Sequence, residues 1–466
     1  MRARSRPSSV SFHALPLLGL LALGACTLEP AGTGPEFRRL DLAAGAGGWQ
    51  QPREDRALPD LPDPPSAEDV VARALLANGA LEADWHAWRA ALERVLVASG
   101  WPNTDLALGL TRFLEHGGVW DTSAVSLGFD PMQMLLLPDK VRQAGEVAFR
   151  EALAAGRRFE SSRVALRERA LLAWWDWALL GEKLVVQERR VALLDALQRS
   201  ASATVAVGGS LSALSRVQLD AGMARVALDE LHASVPAGRA ALNALLARAP
   251  DAPLALPPHG APDDDGALPS DESVLVAGLA ANPELAELGA LAEAREQALD
   301  LAGRRREPNL APSVQAAGGS AESVGLMLTF PATVPAVAAA VRAARADLDE
   351  ARARQVQGGL DARAALLAAL ATLHNDEHRL VRLRDEIVPA ARALLDNARV
   401  AYATGRADLA AWVEASNAVL DVDLLAAEAR AARAQHLAAL ERLAGTRFRG
   451  APPADGAPPS TAGDQP

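Results

Sequence analysis

Few side chains of this chain are spaced like the groups of an active site. His374 and His378 lie four residues apart on a predicted helix, so both imidazoles could face one metal ion. No third ligand accompanies them, and a solvated pair on a helix surface is the simpler interpretation. Met132 and Met134 share one face of a predicted strand, where packing or lipid contact is simpler than binding of a soft metal. The sequence therefore predicts no catalytic site, no metal site and no cofactor, and we do not expect an enzyme.

Cys26 is the only cysteine of the chain and the residue with the clearest predicted modification. Residues 1–25 begin with a basic segment and continue with a short apolar run, Leu15–Leu23, as secretory signal peptides do. The tetrapeptide Leu23-Gly24-Ala25-Cys26 resembles the lipid-attachment site of bacterial lipoproteins. The alternative is an ordinary signal peptide in which the cysteine occurs by chance. We predict that lipidation of Cys26 attaches the chain to a membrane.

The composition favours long helices over a compact α/β enzyme. Half of the 466 residues are apolar, alanine is abundant and only 4% of the residues are aromatic. The formal net charge of −11 argues against nucleic acid as a partner.

Two long predicted helices meet at a tight turn in the second half of the chain. The turn is Tyr402-Ala403-Thr404-Gly405-Arg406, in which Gly405 supplies the backbone freedom that stops one helix. At ~1.5 Å per residue, the arm Pro335–Thr404 would be on the order of 100 Å long. Apolar residues recur on this arm every seven positions, which predicts a left-handed coiled coil. These residues are Leu366, Leu373, Leu380, Ile387 and Leu394.

The same pattern occurs earlier in the chain. A long helix that begins at Pro138 is predicted to turn at Gly208-Gly209-Ser210 and to return through Leu211–Leu246. Before each long helix the apolar period changes to two, which predicts one β-hairpin in each half. From these residues alone, a soluble hairpin and a pair of membrane strands fit equally well. The alternating segments are Leu106–Leu110, Val125–Phe129, Leu310–Ala316 and Val324–Phe330.

The repetition predicts two halves of similar design. We expect a lipoprotein signal peptide, an extended tether, a first repeat, a linker, a second repeat and a disordered tail rich in Pro, Ala and Gly. Within the first repeat, Ser66 is the predicted cap of a helix that is interrupted near Asn78-Gly79. The expected segments are 1–25, 26–65, 66–256, 257–270, 271–445 and 446–466.

This arrangement resembles the TolC family of outer membrane efflux proteins over nearly the whole mature chain. The resemblance implies a mainly α fold with a small β part, in which a duplicated unit of helical and β-hairpins forms a trimeric α-helical tunnel. The tunnel would join a twelve-stranded β-barrel with four strands per chain. Leu136–Lys140 and Leu242–Leu246 are similar to the lipoprotein members that serve heavy-metal pumps. The family resemblance itself is carried by Asn282-Pro283-Glu284-Leu285, the strand Val324–Pro331, Ile387-Val388-Pro389-Ala390 and Tyr402–Gly405.

The resemblance also implies partners and a function. Family members are homotrimers in outer membrane lipid, and their helical tips meet a periplasmic adaptor and an inner membrane pump. The implied function is that of a passive export conduit in a tripartite efflux system, lipid-anchored in the cell outer membrane. The alternative is a periplasmic coiled-coil structural or adaptor lipoprotein, which would need no lipid-facing strands. Carried over by position, the adaptor-contacting residues are Gly208, Gly209, Gly405 and Arg406.

An acidic periplasmic aperture is the last feature that the resemblance implies. Glu414 matches an aperture-lining acidic position of the family, whereas the companion position three residues earlier is Ala411 here. Asp408 and Asp421 are the other predicted aperture acids. For each of these carboxylates, a solvated helix face is an equally good interpretation.

Overall fold

The computed structural model describes residues 28–45, 48–100, 104–111, 122–129, 138–206, 211–257, 270–317, 321–330 and 334–448. The chain forms two compact units, each assembled from separated segments. The first unit contains the described residues up to Ala43 together with those of Trp85–Arg157 and Ala286–Val356. The second unit contains the described residues of Ala44–Asp84 and Arg158–Leu285 and those from Gln357 onward.

The first half of the described chain consists of helices with one β-hairpin among them. Ser66 and Asp69 exchange hydrogen bonds between side chain and backbone N–H, which starts a helix as predicted. Asn78 then separates two helices, because its Oδ1 accepts hydrogen bonds from the N–H groups of Ala80 and Leu81. The elements are α1 (Thr33–Ala43), a 3-10 turn (Arg53–Asp55), α2 (Ala67–Ala77), α3 (Gly79–Ala98), β1 (Thr104–Thr111), β2 (Thr122–Phe129), α4 (Pro138–Ala206) and α5 (Leu211–Leu245).

The second half has the same order of elements. Asn282 separates two helices as Asn78 does, since its Oδ1 accepts from the Leu285 N–H at 2.9 Å. Its Nδ2 also donates to the carbonyl of Leu443 at 2.8 Å. The elements are α6 (Asp271–Ala281), α7 (Pro283–Gly303), a 3-10 turn (Arg304–Arg306), β3 (Asn309–Ala317), β4 (Ala321–Thr329), α8 (Val334–Arg382), a π-helical turn (Leu383–Ile387), α9 (Val388–Ala403) and α10 (Leu409–Ala444).

The strands form one antiparallel sheet in the order β1-β2-β3-β4, which lies within the first unit. β1 pairs with β2 over Thr104–Thr111, and β3 pairs with β4 over Asn309–Ala317. The two hairpins join through Ala124–Leu127 of β2 and Val314–Ala317 of β3. Within the described residues, β1 and β4 are therefore the edges of this sheet.

The predicted extended tether over residues 26–65 is wrong for Thr33–Ala43, which form helix α1. The side chain of Leu40 is buried, and its carbonyl accepts a hydrogen bond from Trp85 Nε1 at 3.0 Å. The guanidinium of Arg39 lies 5.1 Å from the ring centroid of Trp88. Packing against two buried tryptophans fixes this helix, and the Gly and Pro residues around it conceal its short apolar pattern.

Two tryptophans of α4 attach the connecting segments of the second unit to its core, and a third packs against one of them. Trp174 Nε1 donates to the carbonyl of Pro65 at 3.0 Å, and Trp177 Nε1 donates to the carbonyl of Ala255 at 3.1 Å. Trp174 and Trp175 meet edge to face, with ring centroids 5.0 Å apart. The segments before α2 and after α5 are thus tied to one helix. Sequence reasoning missed this role because three neighbouring tryptophans point to different sides of a helix.

The arm predicted as one helix over Pro335–Thr404 contains a break in its α-helical pattern. The five residues Leu383–Ile387 form a π-helical turn between α8 and α9. Pro389 accounts for this turn, because proline lacks an N–H and its ring displaces the carbonyl of the residue four positions earlier. That residue, Asp385, lies inside the π turn.

The residues of the predicted seven-residue seam are buried or half-buried before the π turn, and exposed at its last residue, Ile387, and beyond it at Leu394. Leu366 and Leu373 are fully buried, whereas Ile387 is 39% exposed and Leu394 is 52% exposed. Beyond the turn, the buried residue of α9 is Ala391 rather than Leu394. An additional residue in a helical turn shifts all later positions around the axis.

One helical stretch among the described residues, Asp271–Arg306, is long and apolar enough by composition to cross a membrane. Its most apolar window has a mean hydropathy of 1.3, and 17% of that window is buried inside the chain. The stretch is divided at Asn282, whose buried side chain is hydrogen-bonded to α10. A single stretch of this kind does not identify a membrane helix.

Candidate functional site

The predicted tip residues belong to two turns, of which the structure describes one. Gly405 and Arg406 lie in the turn between α9 and α10. Gly208 and Gly209, between α4 and α5, lie outside the described residues, and so does Cys26. In the described chain, the candidate site therefore consists of the second turn and the start of α10.

Gly405 reverses the chain in a left-handed conformation, with a φ of +66°. Its N–H donates to the carbonyl of Tyr402 at 3.0 Å, and the Arg406 N–H donates to the carbonyl of Ala401 at 2.8 Å. These bonds satisfy carbonyls that the end of α9 would leave without partners. A β carbon on Gly405 would meet no atom within 4 Å, so only backbone strain opposes a larger residue there.

Asp408 is the N-cap of α10. Its Oδ1 accepts a hydrogen bond from the Ala411 N–H at 3.0 Å, and its backbone is extended, as N-cap residues require. A carboxylate is also favoured at this end of a helix by the helix dipole. The structure thus gives Asp408 a local role in starting α10.

Tyr402 and Trp412 stack on each other across the turn. Their ring centroids are 5.3 Å apart and their planes meet at 28°. Sequence reasoning missed this pair. The available signal was the position of the only tyrosine of the chain just before the turn, with a tryptophan shortly after it.

A buried aliphatic cluster holds α4, α5 and α10 together near the turn. Leu194 and Leu197 are each 2% exposed, and Val413 is 5% exposed. Gln187 adds a buried polar link, because its Nε2 donates to the carbonyl of Ala224 at 2.7 Å. The start of α10 is therefore packed on a rigid support. The cluster consists of Leu194, Leu197, Val217, Ala221, Ala224 and Val413.

The predicted aperture acids differ in their surroundings. Asp421 forms an ion pair with Arg190 of α4, and Asp408 caps α10. Glu414 is exposed and makes no ion pair with any residue that the structure describes. Of these predicted carboxylates, Glu414 is therefore the one whose charge is not engaged within the described chain.

His374, one of the two histidines that could suggest a metal site, lies against a carboxylate of the second unit, as does His436. His374 Nε2 is 3.2 Å from an oxygen of Asp271, and His436 Nδ1 is 2.6 Å from an oxygen of Asp376. Asp376 is buried, so the second pair links α8 firmly to α10. Among the described residues, no three histidine, cysteine or acidic side chains gather in a way that could hold a metal ion.

Long apolar side chains remain exposed along two helices of the described chain. They recur at helical spacing on one face of each helix, so they form stripes rather than isolated residues. Such stripes are typical of surfaces that contact another polypeptide. The members are Val356, Leu360, Leu367 and Val381 on α8, and Leu219, Met223 and Val226 on α5.

Comparison with known proteins identifies the fold through solved structures. No sequence profile of a protein family matches the chain, and no curated protein matches it in sequence. The outer membrane channel OprN matches at 20% identity with a TM-score of 0.68, over 82% of this chain and 90% of its own. VceC of Vibrio cholerae, an outer membrane protein, matches at 18% identity with a TM-score of 0.67, over 82% and 96%. The open state of the Neisseria gonorrhoeae MtrE channel matches at 17% identity with a TM-score of 0.69, over 83% and 90%.

The chain therefore has the fold of the TolC-family outer membrane efflux channels, and the resemblance predicted from its sequence is confirmed at the level of the fold. At identities of 20% or less, this likeness concerns architecture alone. The lipid anchor, the adaptor-contacting residues and the aperture acids remain predictions, as does the heavy-metal subgroup.

Proposed function

We propose that this chain is the outer membrane channel of a tripartite efflux system, a passive export conduit from the periplasm to the exterior. The observation that carries the proposal is a four-stranded antiparallel sheet, with β1 and β4 as its edges among the described residues, in a chain that also forms long helical hairpins. Open strand edges expose backbone groups that a bilayer does not tolerate unpaired. Three copies would supply twelve strands, which can close into a barrel.

The exposed stripes on α5 and α8 support the same assembly. A monomer in water would be expected to hide such surfaces, whereas neighbouring copies can cover them. In a homotrimer, these faces would pack against adjacent protomers and the helices would enclose a tunnel. The tunnel would do no chemistry, and the energy for export would come from an inner membrane pump.

The turns at the ends of the helical hairpins would contact a periplasmic adaptor. Gly208 and Gly209 would form one contact, and Gly405 and Arg406 the other. Glu414 would contribute most of the charge at the periplasmic aperture, because its carboxylate is exposed and not engaged within the described chain. Asp408 and Asp421 would contribute less, since one caps α10 and the other pairs with Arg190.

Lipidation of Cys26 would anchor each protomer to the outer membrane. The warrant is the position of the sole cysteine directly after a short apolar run. Metabolic labelling with a fatty acid should mark the parent chain and leave a Cys26→Ser variant unlabelled. Label retained by the variant would contradict this part of the proposal.

The conduit itself is tested by mass and conductance. We expect the full chain, purified in mild detergent, to be a trimer and to form channels in planar bilayers. Loss of the gene should sensitise the cell to substrates of the partner pump, and the parent chain should restore resistance. A stable monomer that forms no channel would overturn the proposal and favour the periplasmic adaptor lipoprotein.

A further inference from the structure

A basic turn lies at the end of the sheet from which the helices depart. Arg304, Arg305 and Arg306 form the 3-10 turn that connects α7 to β3. The Glu307 N–H closes this turn by donating to the carbonyl of Arg304 at 3.0 Å. Three consecutive guanidinium groups are thereby concentrated at the start of a strand.

Buried Lys140 fixes this turn against the beginning of α4. Its Nζ donates to the carbonyl of Glu307 at 2.6 Å and to Oδ1 of Asn309 at 3.0 Å. Lys140 is 3% exposed, so these bonds are shielded from water. The basic turn is therefore held in place before any partner binds, which reduces the conformational entropy that binding would cost.

The nearby carboxylates leave two of the three arginines without a counter-charge. Arg304 lies 3.9 Å from Asp139 and 3.6 Å from Glu307, and Asp139 also pairs with Arg142 at 3.0 Å. Arg305 and Arg306 are exposed, and neither forms an ion pair with another residue in the described part of the chain. The surface therefore has an excess of positive charge.

Exposed apolar side chains emerge at the same end of the hairpin. Asn309 pairs with Thr329, so the basic turn before β3 and Phe330 after β4 are adjacent ends of one ladder. Phe330 is 66% exposed and Val334 is 71% exposed. An aromatic ring beside cationic side chains at the ends of strands is the arrangement that membrane proteins use at the lipid headgroups.

We propose that Arg305 and Arg306, together with Phe330 and Val334, form a surface that binds the headgroups of anionic phospholipids. The inference rests on the proposed function, in which the sheet crosses the outer membrane and the helices lie in the periplasm. The ends of the strands would then meet the phospholipid leaflet on the periplasmic side. The two guanidinium groups would bind lipid phosphates, and the apolar side chains would enter the region just below them.

The expected preference follows from the attraction of single basic residues to an anionic membrane surface. Each arginine near such a surface contributes about a five-fold preference for anionic lipid, so loss of both should reduce the preference by about 25-fold. High salt should weaken the parent's preference, because the surface is exposed.

The test uses the full chain in nanodiscs of phosphatidylethanolamine and phosphatidylglycerol in a four-to-one mixture. Native mass spectrometry after partial delipidation counts the lipids of each class that stay bound. We expect the parent to retain phosphatidylglycerol selectively and the variant Arg305→Gln/Arg306→Gln to lose that selectivity. The matched control, Arg392→Gln/Arg399→Gln, removes two exposed arginines of α9 and should behave like the parent.

Two further measurements separate the possible failures. Arg305→Lys/Arg306→Lys keeps both charges and should retain most of the selectivity, which guards against an effect of misfolding in the glutamine variant. Equal retention of both lipids by the parent, or unchanged selectivity in the glutamine variant, would overturn the inference while the channel still conducts. A chain that enters no bilayer and forms no channel would overturn the proposed function and the lipid surface with it.

Discussion

The ring of Tyr402 stacks on the ring of Trp412 across the turn at Gly405, with centroids 5.3 Å apart. The pair connects the last turn of α9 to the first turns of α10, where Asp408 caps the helix. Val413 next to it belongs to the buried cluster that joins α10 to α4 and α5. The turn at Gly405 is thus stabilised by an aromatic contact between the two helices that it joins.

The stacked pair should show a measurable coupling energy. We expect Tyr402→Leu and Trp412→Leu each to destabilise the hairpin, and the double variant to lose less than the sum. A double-mutant cycle on thermal unfolding in detergent should give a coupling of about 0.5–1.5 kcal/mol. Strictly additive effects would mean that the two rings stabilise the turn independently.

Replacing Gly405 by any residue that has a β carbon should lower the stability of the protein. Since its φ is +66° and its surroundings are open, Gly405→Val should cost ~1 kcal/mol or more through backbone strain alone. We expect impaired efflux in a complementation assay with the trimer preserved. As a matched pair, Gly405→Ala should destabilise the protein, whereas Gly222→Ala, inside α5 and equally open, should stabilise it by ~0.5–1 kcal/mol. Equal effects at the two glycines would contradict the assigned strain.

Substitutions of Glu414 and Asp408 should have different effects, the first on conductance and the second on stability. Three symmetry-related carboxylates at a narrow opening attract cations, so Glu414→Ala should reduce cation preference in planar bilayers and leave thermal stability nearly unchanged. Asp408→Ala removes a helix cap and should cost about 1 kcal/mol of stability, while Asp408→Asn should keep the cap. If Glu414→Ala conducts as the parent does over a range of salt concentrations, the aperture lies elsewhere.

Lys140 should make stability depend on alkaline pH. Burial lowers its pKa below the usual 10.5, and the nearby charge of Glu307 opposes this shift only in part. Between the lowered pKa and 10.5, the unfolded chain binds more protons than the folded chain, so stability should rise with pH across that window. Lys140→Met should abolish the rise, which urea unfolding at a series of pH values can measure.

The same substitution should destabilise the protein at neutral pH. Lys140→Met leaves the carbonyl of Glu307 and Oδ1 of Asn309 without their donor, at a cost of roughly 1–3 kcal/mol for each buried acceptor. Lys183, the only other lysine of the chain, pairs with Glu428 at 3.1 Å and is partly exposed. Lys183→Met should therefore change stability by less than about 1 kcal/mol at any pH. A pH response that survives in Lys140→Met would have to come from another group.

Local signals in the sequence were sufficient where a few neighbouring atoms decide the structure. The side chains of Ser66 and Asn78 cap helices by accepting hydrogen bonds from backbone N–H groups two or three residues later. Gly405 reverses the chain because glycine tolerates a positive φ. The same signals failed where distant packing decides. α1 exists because Leu40 meets Trp85, and the stack of Tyr402 on Trp412 depends on how two helices meet.

The aperture acids show the same limit at the candidate site. From their positions in the sequence, Glu414, Asp408 and Asp421 were all predicted to line the aperture. Only their surroundings distinguish a helix cap and an ion pair from an exposed carboxylate. Arg190 lies on α4, far from Asp421 in the sequence, so no local pattern could have assigned that partner.

The π-helical turn at Leu383–Ile387 has a mechanical consequence for the whole arm. Each residue of an α-helix turns the direction of its side chains by about 100°, so one additional residue acts as a fixed torsional offset. Everything from Val388 to the reversal at Gly405 inherits that offset. Deleting one residue inside the turn would shorten the arm by only ~1.5 Å. It would also rotate the end of the hairpin by about 100° around the helix axis. The rotational orientation of the turn at Gly405 is thus determined at Pro389, about four helical turns earlier in the chain.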